Sequence, residues 1–383
     1  MCDVPALRFP EFSGEWKKCT LAEICSIVGR IGFRGYTIQD IVEKGTGAIA
    51  LSPSNITDNR LSYDKDNTYI SYFKYEESPE IKVFVGDIVF VKTGSTVGKV
   101  AYVDNILCET TLNPQLVVLK NIKCNSFLLS QILSASKFQN AIKRITVGGA
   151  VPTLSQNEMG KIFVSIPQKM EQEKIATLFQ LMDERISTQN KIIEDLKKLK
   201  SAIYQKMFET LVAPTLKLGQ IVEIIKGQQV NGTDLLEQGD YYVMNGGTTS
   251  SGWLNRYNTE ANTISISEGG NSCGYVQYNT SRYWSGGHCY SLRILHPQET
   301  LDLYLYHFLK WQEDNIMALR IGSGLPNIQK KDLLHFPVIL PTITQQNKIV
   351  LILSAIEEKV SCEISITQYF VKQKEYLLSQ LFI

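Results

Sequence analysis

The chain has 383 residues, 44% hydrophobic and 20% charged, with 39 Lys and Arg against 38 Asp and Glu. That length predicts about two domains with ordinary cores, and the net charge of +1 excludes a uniformly basic nucleic-acid coat while allowing a local basic face. Eight scattered cysteines without a C-x-x-C pair fit free thiols rather than a disulfide framework. Met1 to Phe12 holds no signal-peptide core, and no apolar run reaches the ~18 residues of a membrane span. A soluble, cytoplasmic protein without membrane contact is expected.

Taken in order, the chain opens with a polar, proline-punctuated lead, Leu7-Arg8-Phe9-Pro10 and Gly14-Glu15-Trp16. Trp16 to Ile27 carries Leu21, Ile24 and Ile27 at helical or short-turn spacing. A β-rich middle follows. Ile81–Phe84, Asp87–Lys92, Val97–Val103 and Leu116–Leu119 read as short strands between glycine turns. Asn125-Ser126 can cap a helix running to about Ile142. From about Glu171 to Glu209 there is no Pro and no Gly, which predicts one long helix. Leu218–Ile225 echoes the opening, with Glu223-Ile224 matching Glu23-Ile24. A second β-rich middle holds Tyr241–Met244, Thr263–Ser267, Tyr275–Tyr278 and Tyr290–Ile294. Asn245-Gly246-Gly247 and Glu268-Gly269-Gly270-Asn271 are its turn signals. Asp302 can cap a helix to about Leu319, and a second long helix follows Pro341.

The two halves are copies at their ends. Gly148-Gly149-Ala150-Val151-Pro152-Thr153-Leu154 returns 174 residues later as Gly322-Ser323-Gly324-Leu325-Pro326-Asn327-Ile328. The register continues through Val164 and Val338, Pro167 and Pro341, Gln172 and Gln346, Lys174 and Lys348, Lys200 and Lys374, Phe208 and Phe382. Between these ends the middles diverge in length and sequence. The helices carry heptads. Ile175, Met182, Leu196 and Ile203 share one position, and Phe179, Ile186, Ile193 and Met207 its partner. The second copy gives Ile349, Ile356, Phe370 and Leu377, with Leu353, Val360 and Leu381. Gln189 and Glu363 interrupt the seam at equivalent places. The stripe is narrow, so antiparallel pairing of the two helices is expected rather than each helix folding onto its own domain.

Catalytic constellations are missing. Gly94-Ser95-Thr96-Val97-Gly98-Lys99-Val100 resembles a phosphate loop but has three residues between its glycines, and Val100 where magnesium needs Ser or Thr. A β-turn with polar tips is expected there. Asn113-Pro114-Gln115-Leu116 lacks the second proline and the aromatic residue of the adenine methyltransferase motif. The four histidines, His288, His296, His307 and His335, have no metal-ligand spacing. Asp87 and Glu109 read as solvated or capping acids rather than a nuclease pair. No catalytic or metal-binding residue is assigned.

With these residues in place, the chain resembles the specificity subunits (HsdS) of type I restriction–modification systems over essentially its whole length. The resemblance rests on the Leu7-Arg8-Phe9-Pro10…Trp16 opening, on Gly86-Asp87-Ile88-Val89…Gly94–Lys99, on the twofold glycine–proline turn and on helices beginning at Pro167…Glu171-Gln172 and Pro341…Gln345-Gln346. It implies an α+β fold: two β-rich target recognition domains joined by two long antiparallel coiled-coil helices in a pseudo-twofold repeat. The expected boundaries are 1–165 and 212–340 for the domains, 166–211 and 341–383 for the helices. The resemblance also implies double-stranded DNA as ligand, read in two half-sites separated by a spacer that the helices set. Its partners would be two modification subunits and the restriction subunits. S-adenosylmethionine, ATP and magnesium would sit on those partners, and this chain would bind no cofactor. The departures are Asn262–Ser267 in place of a Gly-Asp-Ile strand, and a second helix that runs to Ile383. The competing readings are a self-contained DNA-modifying enzyme and a protein-interaction scaffold with two β-rich heads.

Base edges are best read by Arg or Lys on guanine and Asn or Gln on adenine, while Lys, Arg, Ser and Thr hold phosphates. Glycine-rich loops let backbone come close. The candidates in the first domain are Arg30, Arg34, Lys92, Thr93, Ser95, Thr96 and Lys99, with Lys143 and Arg144 at a helix end. In the second they are Lys226, Gln228, Gln229, Asn231, Asn245, Thr248, Thr249, Ser250, Asn271, Ser272 and Arg320.

Overall fold

The computed structural model describes residues 5–64, 66–147, 151–322, 324 and 326–382. The first glycine turn, Gly148-Gly149-Ala150, and residues Ser323 and Leu325 of the second lie outside these. Two compact units divide the chain, Met1–Gln189 with Ile366–Ile383, and Asn190–Ser365. The division falls inside the long helices, Lys169–Glu209 and Ile343–Leu381, so each unit holds one end of each.

In chain order the first unit's strands are β1 (Lys17–Thr20), β2 (Ser26–Gly29), β3 (Ala48–Leu51), β4 (Ile56–Thr57), β5 (Arg60–Leu61), β6 (Thr68–Ile70), β7 (Ile88–Val91), β8 (Val100–Tyr102), β9 (Thr110–Leu112), β10 (Leu116–Lys120) and β11 (Phe163–Ile166). The main sheet runs β2-β10-β7-β8-β5-β4, and a smaller one runs β6-β3-β9. Ile-Val-Phe-Val in β7 and Leu-Val-Val-Leu in β10 are continuous apolar runs because both faces of the main sheet are covered. Alternation sorts them. Ile88, Phe90, Val117 and Leu119 enter the core with Leu128, Leu129 and Phe138 of two helices, whereas Val89, Val91, Leu116 and Val118 face Ile49, Leu51 and Leu112 of the small sheet.

The second unit adds β12 (Thr215–Lys217), β13 (Val222–Lys226), β14 (Tyr241–Met244), β15 (Trp253–Leu254), β16 (Thr263–Ser267), β17 (Val276–Asn279), β18 (Trp284–Ser285), β19 (Cys289–Ile294) and β20 (Pro337–Ile339). Its main sheet runs β13-β19-β16-β17 and its small one β15-β14-β18. The order repeats β2-β10-β7-β8 and β6-β3-β9, with the same single parallel pairing in each small sheet. The middles that diverge in sequence thus share one topology. The β4–β5 hairpin on the edge of the first sheet is part of the extra length. Ile264, Ile266, Tyr290 and Leu292 meet the helix Asp302–Trp311. The opposite face differs in chemistry: Ser265, Ser267 and Ser291 are buried there, and Asn279 donates to Ser265 Oγ at 2.9 Å.

Several local expectations need correction. Ile81–Phe84 is not a strand; Pro79 opens a 3-10 turn, Pro79–Ile81, since proline suits a first helical position and cannot donate to a ladder. Asn125 does cap its helix, accepting from Leu128 N at 2.9 Å, but the expected single helix is two, Ser126–Ser134 and Ser136–Ile145, divided at the extended Ala135. Asp302 is not an N-cap. It sits in the first helical turn after Leu301 and takes the Tyr278 hydroxyl.

Within each unit the two long helices meet antiparallel. In the first, Lys374 Nζ reaches Asp183 Oδ1 at 2.5 Å, and Arg185 lies 4.2 Å from the Phe370 ring centroid. In the second, Lys200 Nζ reaches Glu357 Oε1 at 2.6 Å. Lys200 and Lys374 are repeat partners, as are Asp183 and Glu357, so one cross-helix ion pair occurs twice. The helix ends also enter their own cores, as Ile175 and Phe179 in the first unit and Tyr204 and Phe208 in the second. Phe382 stacks on Phe179 at 5.9 Å; Phe208 stacks on Trp311 at 5.1 Å. The seven described cysteines are free thiols. No described helix is long and apolar enough to cross a membrane.

Candidate nucleic-acid interface

The turn after β7 and the turn after β16 are built alike. Gly98 N donates to Val91 O and Lys99 N to Thr96 O; Gly274 N donates to Ser267 O and Tyr275 N to Ser272 O. Gly98 and Gly274 have φ of +99° and +93°, which glycine adopts without strain. Each hairpin is latched to its proline turn. Gly94 N reaches Pro152 O at 2.9 Å and Leu154 N reaches Lys92 O at 2.8 Å; Gly270 N reaches Pro326 O at 3.0 Å and Ile328 N reaches Glu268 O at 2.8 Å. The Gly94–Val100 segment is therefore a polar-tipped hairpin, as expected, and not a phosphate loop.

In the first unit this latch gathers Lys92, Thr93, Ser95, Thr96 and Lys99 beside the end of the helix bearing Lys143 and Arg144. Gln139 of that helix donates to Gly98 O at 2.8 Å, and Val147 bridges to Thr153. Ser95, Lys99, Lys143 and Arg144 are exposed; Lys92, Thr93 and Thr96 are half-buried. Among the described residues no acid is ion-paired to Lys92, Lys99, Lys143 or Arg144. Arg30 stands apart: it is 6% exposed, donates to Leu112 O and Thr111 Oγ1, and burial lowers its pKa. It ties strand ends together. Arg34 is half-buried, donates to Glu77 O and lies 3.7 Å from Glu80.

In the second unit the loops after β13, β14 and β16 converge with the Gly286-Gly287-His288 turn. Gln228 N donates to Ser285 O, and Asn245 Oδ1 accepts His288 N at 3.1 Å. Gln228, Gln229, Asn231, Thr248, Thr249, Ser250, Asn271 and Arg320 are exposed, and Asn245 and Ser272 half-buried. Lys226 is also exposed, but its Nζ pairs with Glu268 at 2.7 Å. The first face is thus cationic and the second rich in amides. Sequence reading missed Gln139, which locks one hairpin from a distant helix, and Glu268 and His288, which only tertiary contact brings together.

Of the two acids with a possible nuclease role, Glu109 is exposed and Asp87 is structural. Asp87 accepts Phe84 N at 2.9 Å and Lys120 Nζ at 2.8 Å, closing the turn before β7. The described residues contain no His, Cys, Asp and Glu group able to hold a metal ion.

The family motifs outside the faces fix the helix feet. Arg8 forks onto buried Glu171 with both contacts at 2.7 Å, and Trp16 Nε1 joins them at 3.2 Å. Gln172 Oε1 accepts Asn125 N and its Nε2 donates to Pro167 O, both at 2.8 Å. Gln346 does the same for Leu301 N and Pro341 O.

Residues 13–198 and 214–368 match the family model of the type I restriction modification DNA specificity domain. The chain belongs to that family. The relatives it matches are type I specificity subunits. A type I specificity subunit of Mycoplasma pneumoniae is 36% identical over 144 residues, 37% of this chain and 38% of that one. One of Mycoplasma genitalium is 30% identical over 167 residues, 43% of each. The chain thus spans under half the length of these two. A Methanocaldococcus jannaschii type I restriction enzyme specificity subunit is 21% identical, over 97% of this chain and 93% of its own. The crystal structure of a type I restriction–modification S subunit from M. genitalium has the same fold, with TM-score 0.64, 18% identity and 99% of both chains covered. A structure from a study of type I complex assembly and conformational transition gives TM-score 0.58, 16% identity and coverage of 96% and 97%.

Proposed function

We propose that this chain is the DNA-reading specificity subunit of a type I restriction–modification complex, and that it recognises a bipartite duplex target. The observation that carries this is the duplicated, latched hairpin, one geometry presented twice with different side chains. Lys92, Lys99, Lys143 and Arg144 suit phosphate positioning in one half-site, and Gln228, Gln229, Asn231, Asn245 and Asn271 suit base edges in the other. The paired long helices set the unread spacer and dock two modification subunits. Those carry S-adenosylmethionine, and the restriction subunits bring ATP and magnesium, so this chain acts without a cofactor of its own. The free thiols fit a cytoplasmic site of action.

The test is binding by the chain assembled with its modification subunits to duplexes varied in either half. Affinity should fall with substitutions in both halves, and with rising salt, because phosphate contacts release counterions. Binding indifferent to sequence in both halves contradicts the proposal.

A further inference from the structure

Glu268 holds in the second unit the place that Lys92 holds in the first. Lys92 N donates to Gln115 O and Glu268 N to His288 O, each at 2.9 Å, and each residue's carbonyl receives the amide after its proline turn. A carboxylate thus stands where the duplicate has an ammonium, on a face meant for a polyanion. It is 9% exposed. Its Oε1 takes Lys226 Nζ at 2.7 Å and the Tyr290 hydroxyl at 2.9 Å. Its Oε2 is buried with no hydrogen-bond partner among the described residues. A buried acceptor left open is costly, so such an atom marks a place where a donor belongs.

His288 Nδ1 lies 3.9 Å from that oxygen, and the His288 side chain is 61% exposed. A side-chain rotation that shortened this separation by about 1 Å would make it a hydrogen bond. Glycines leave little room beside this residue. A Cβ at Gly246 would lie 2.9 Å from His288 O, and one at Gly269 would lie 3.8 Å from Nδ1. The loops after β14 and β16 therefore meet the Gly286-Gly287-His288 turn at this residue.

We propose that His288 reads an amino-bearing base, adenine or cytosine, in one half-site, and that Glu268 is the positioning residue that orients it. The inference rests on the DNA-reading function proposed above. A carboxylate oxygen only accepts, so it takes Nδ1–H, and in that tautomer Nε2 is an acceptor. In the major groove the adenine N6 and cytosine N4 amino groups are donors, whereas guanine N7 and O6 and thymine O4 are acceptors. An acceptor at Nε2 is also useless to phosphate, so the contact specifies sequence rather than position. Glu268→Gln reverses the logic. Lys226 and Tyr290 both donate to Oε1, so the amide oxygen keeps that place and its NH2 faces Nδ1. The proton then moves to Nε2, which becomes a donor suited to guanine or thymine.

The test is selection from a duplex library randomised in both halves, using the chain assembled with its modification subunits. The native complex should prefer adenine or cytosine at one position of one half. His288→Ala and His288→Leu should weaken that preference about tenfold and leave the other half intact. Selection at that other half certifies a folded complex. Glu268→Gln should invert the preference toward guanine or thymine, an outcome that a merely structural role does not produce. Unchanged base preferences in the His288 variants, or a Glu268→Gln profile identical to the native one, overturn the proposal. A native complex with no preference in either half would instead overturn the DNA-reading function itself.

Discussion

At the scale of residues, two buried groups carry the sharpest expectations. Glu171 is fully buried and holds Arg8 through two contacts and Trp16 through one. Glu171→Ala leaves the guanidinium without its carboxylate and the indole N–H without its acceptor, and should cost about 3–5 kcal/mol in denaturant unfolding of the first unit. Glu171→Gln, which keeps an acceptor, should cost less. His307 is buried between Tyr204, 2.6 Å from Nδ1, and Ser354, 3.2 Å from Nε2. Burial first, opposed by Glu357 and aided by Lys200, lowers its pKa to about 4. The unfolded chain, near the usual ~6.5, therefore binds more protons between these values. Stability should fall as the pH drops from about 6.5 toward 4, by on the order of 3 kcal/mol, and His307→Gln should lose that part of the acid sensitivity. A pH series of unfolding midpoints for both proteins checks it. At this scale the hairpin turn between Lys92 and Lys99 was legible because glycines and polar tips advertise it. Arg30 was not: it looks like a loop cation, and its burial depends on Thr111 and Leu112, some 80 residues away.

Among elements, the doubled ion pair is the most exposed to test. Lys374 and Asp183 are both largely shielded, with side chains 11% and 12% exposed. Lys374→Glu should destabilise the first unit by about 3–5 kcal/mol, and Asp183→Lys in the same chain should restore much of the loss. A double-mutant cycle by chemical denaturation measures the coupling; additive losses without rescue contradict it. The long helices were readable because their heptads and their glycine- and proline-free length leave few alternatives. The common strand order of the middles was unreadable. Val89, Val91 and Val118 line the second face of the first sheet, whereas Ser265, Ser267 and Ser291 line that of the other. Asn279 satisfies part of that polar face, so the topology outlasted its apolar pattern. The break at Ala135 escaped for a different reason, since alanine is the best of helix formers and only packing turns the chain there.

For the whole molecule, duplication predicts modularity. Replacing Trp16–Ile145 with the corresponding segment of another family member should change one half-site and leave the other as it was. Adding one heptad to both Glu184–Lys200 and Glu358–Lys374 should lengthen the unread spacer and preserve both half-sites. Changed half-site bases with an unaltered spacer contradict that reading. The most direct measurement is methylome sequencing of a host that carries this chain with its modification subunit. The account predicts methylated adenines in a two-part motif with a spacer of fixed length. Methylation in one uninterrupted motif, or at no defined sequence, would contradict it.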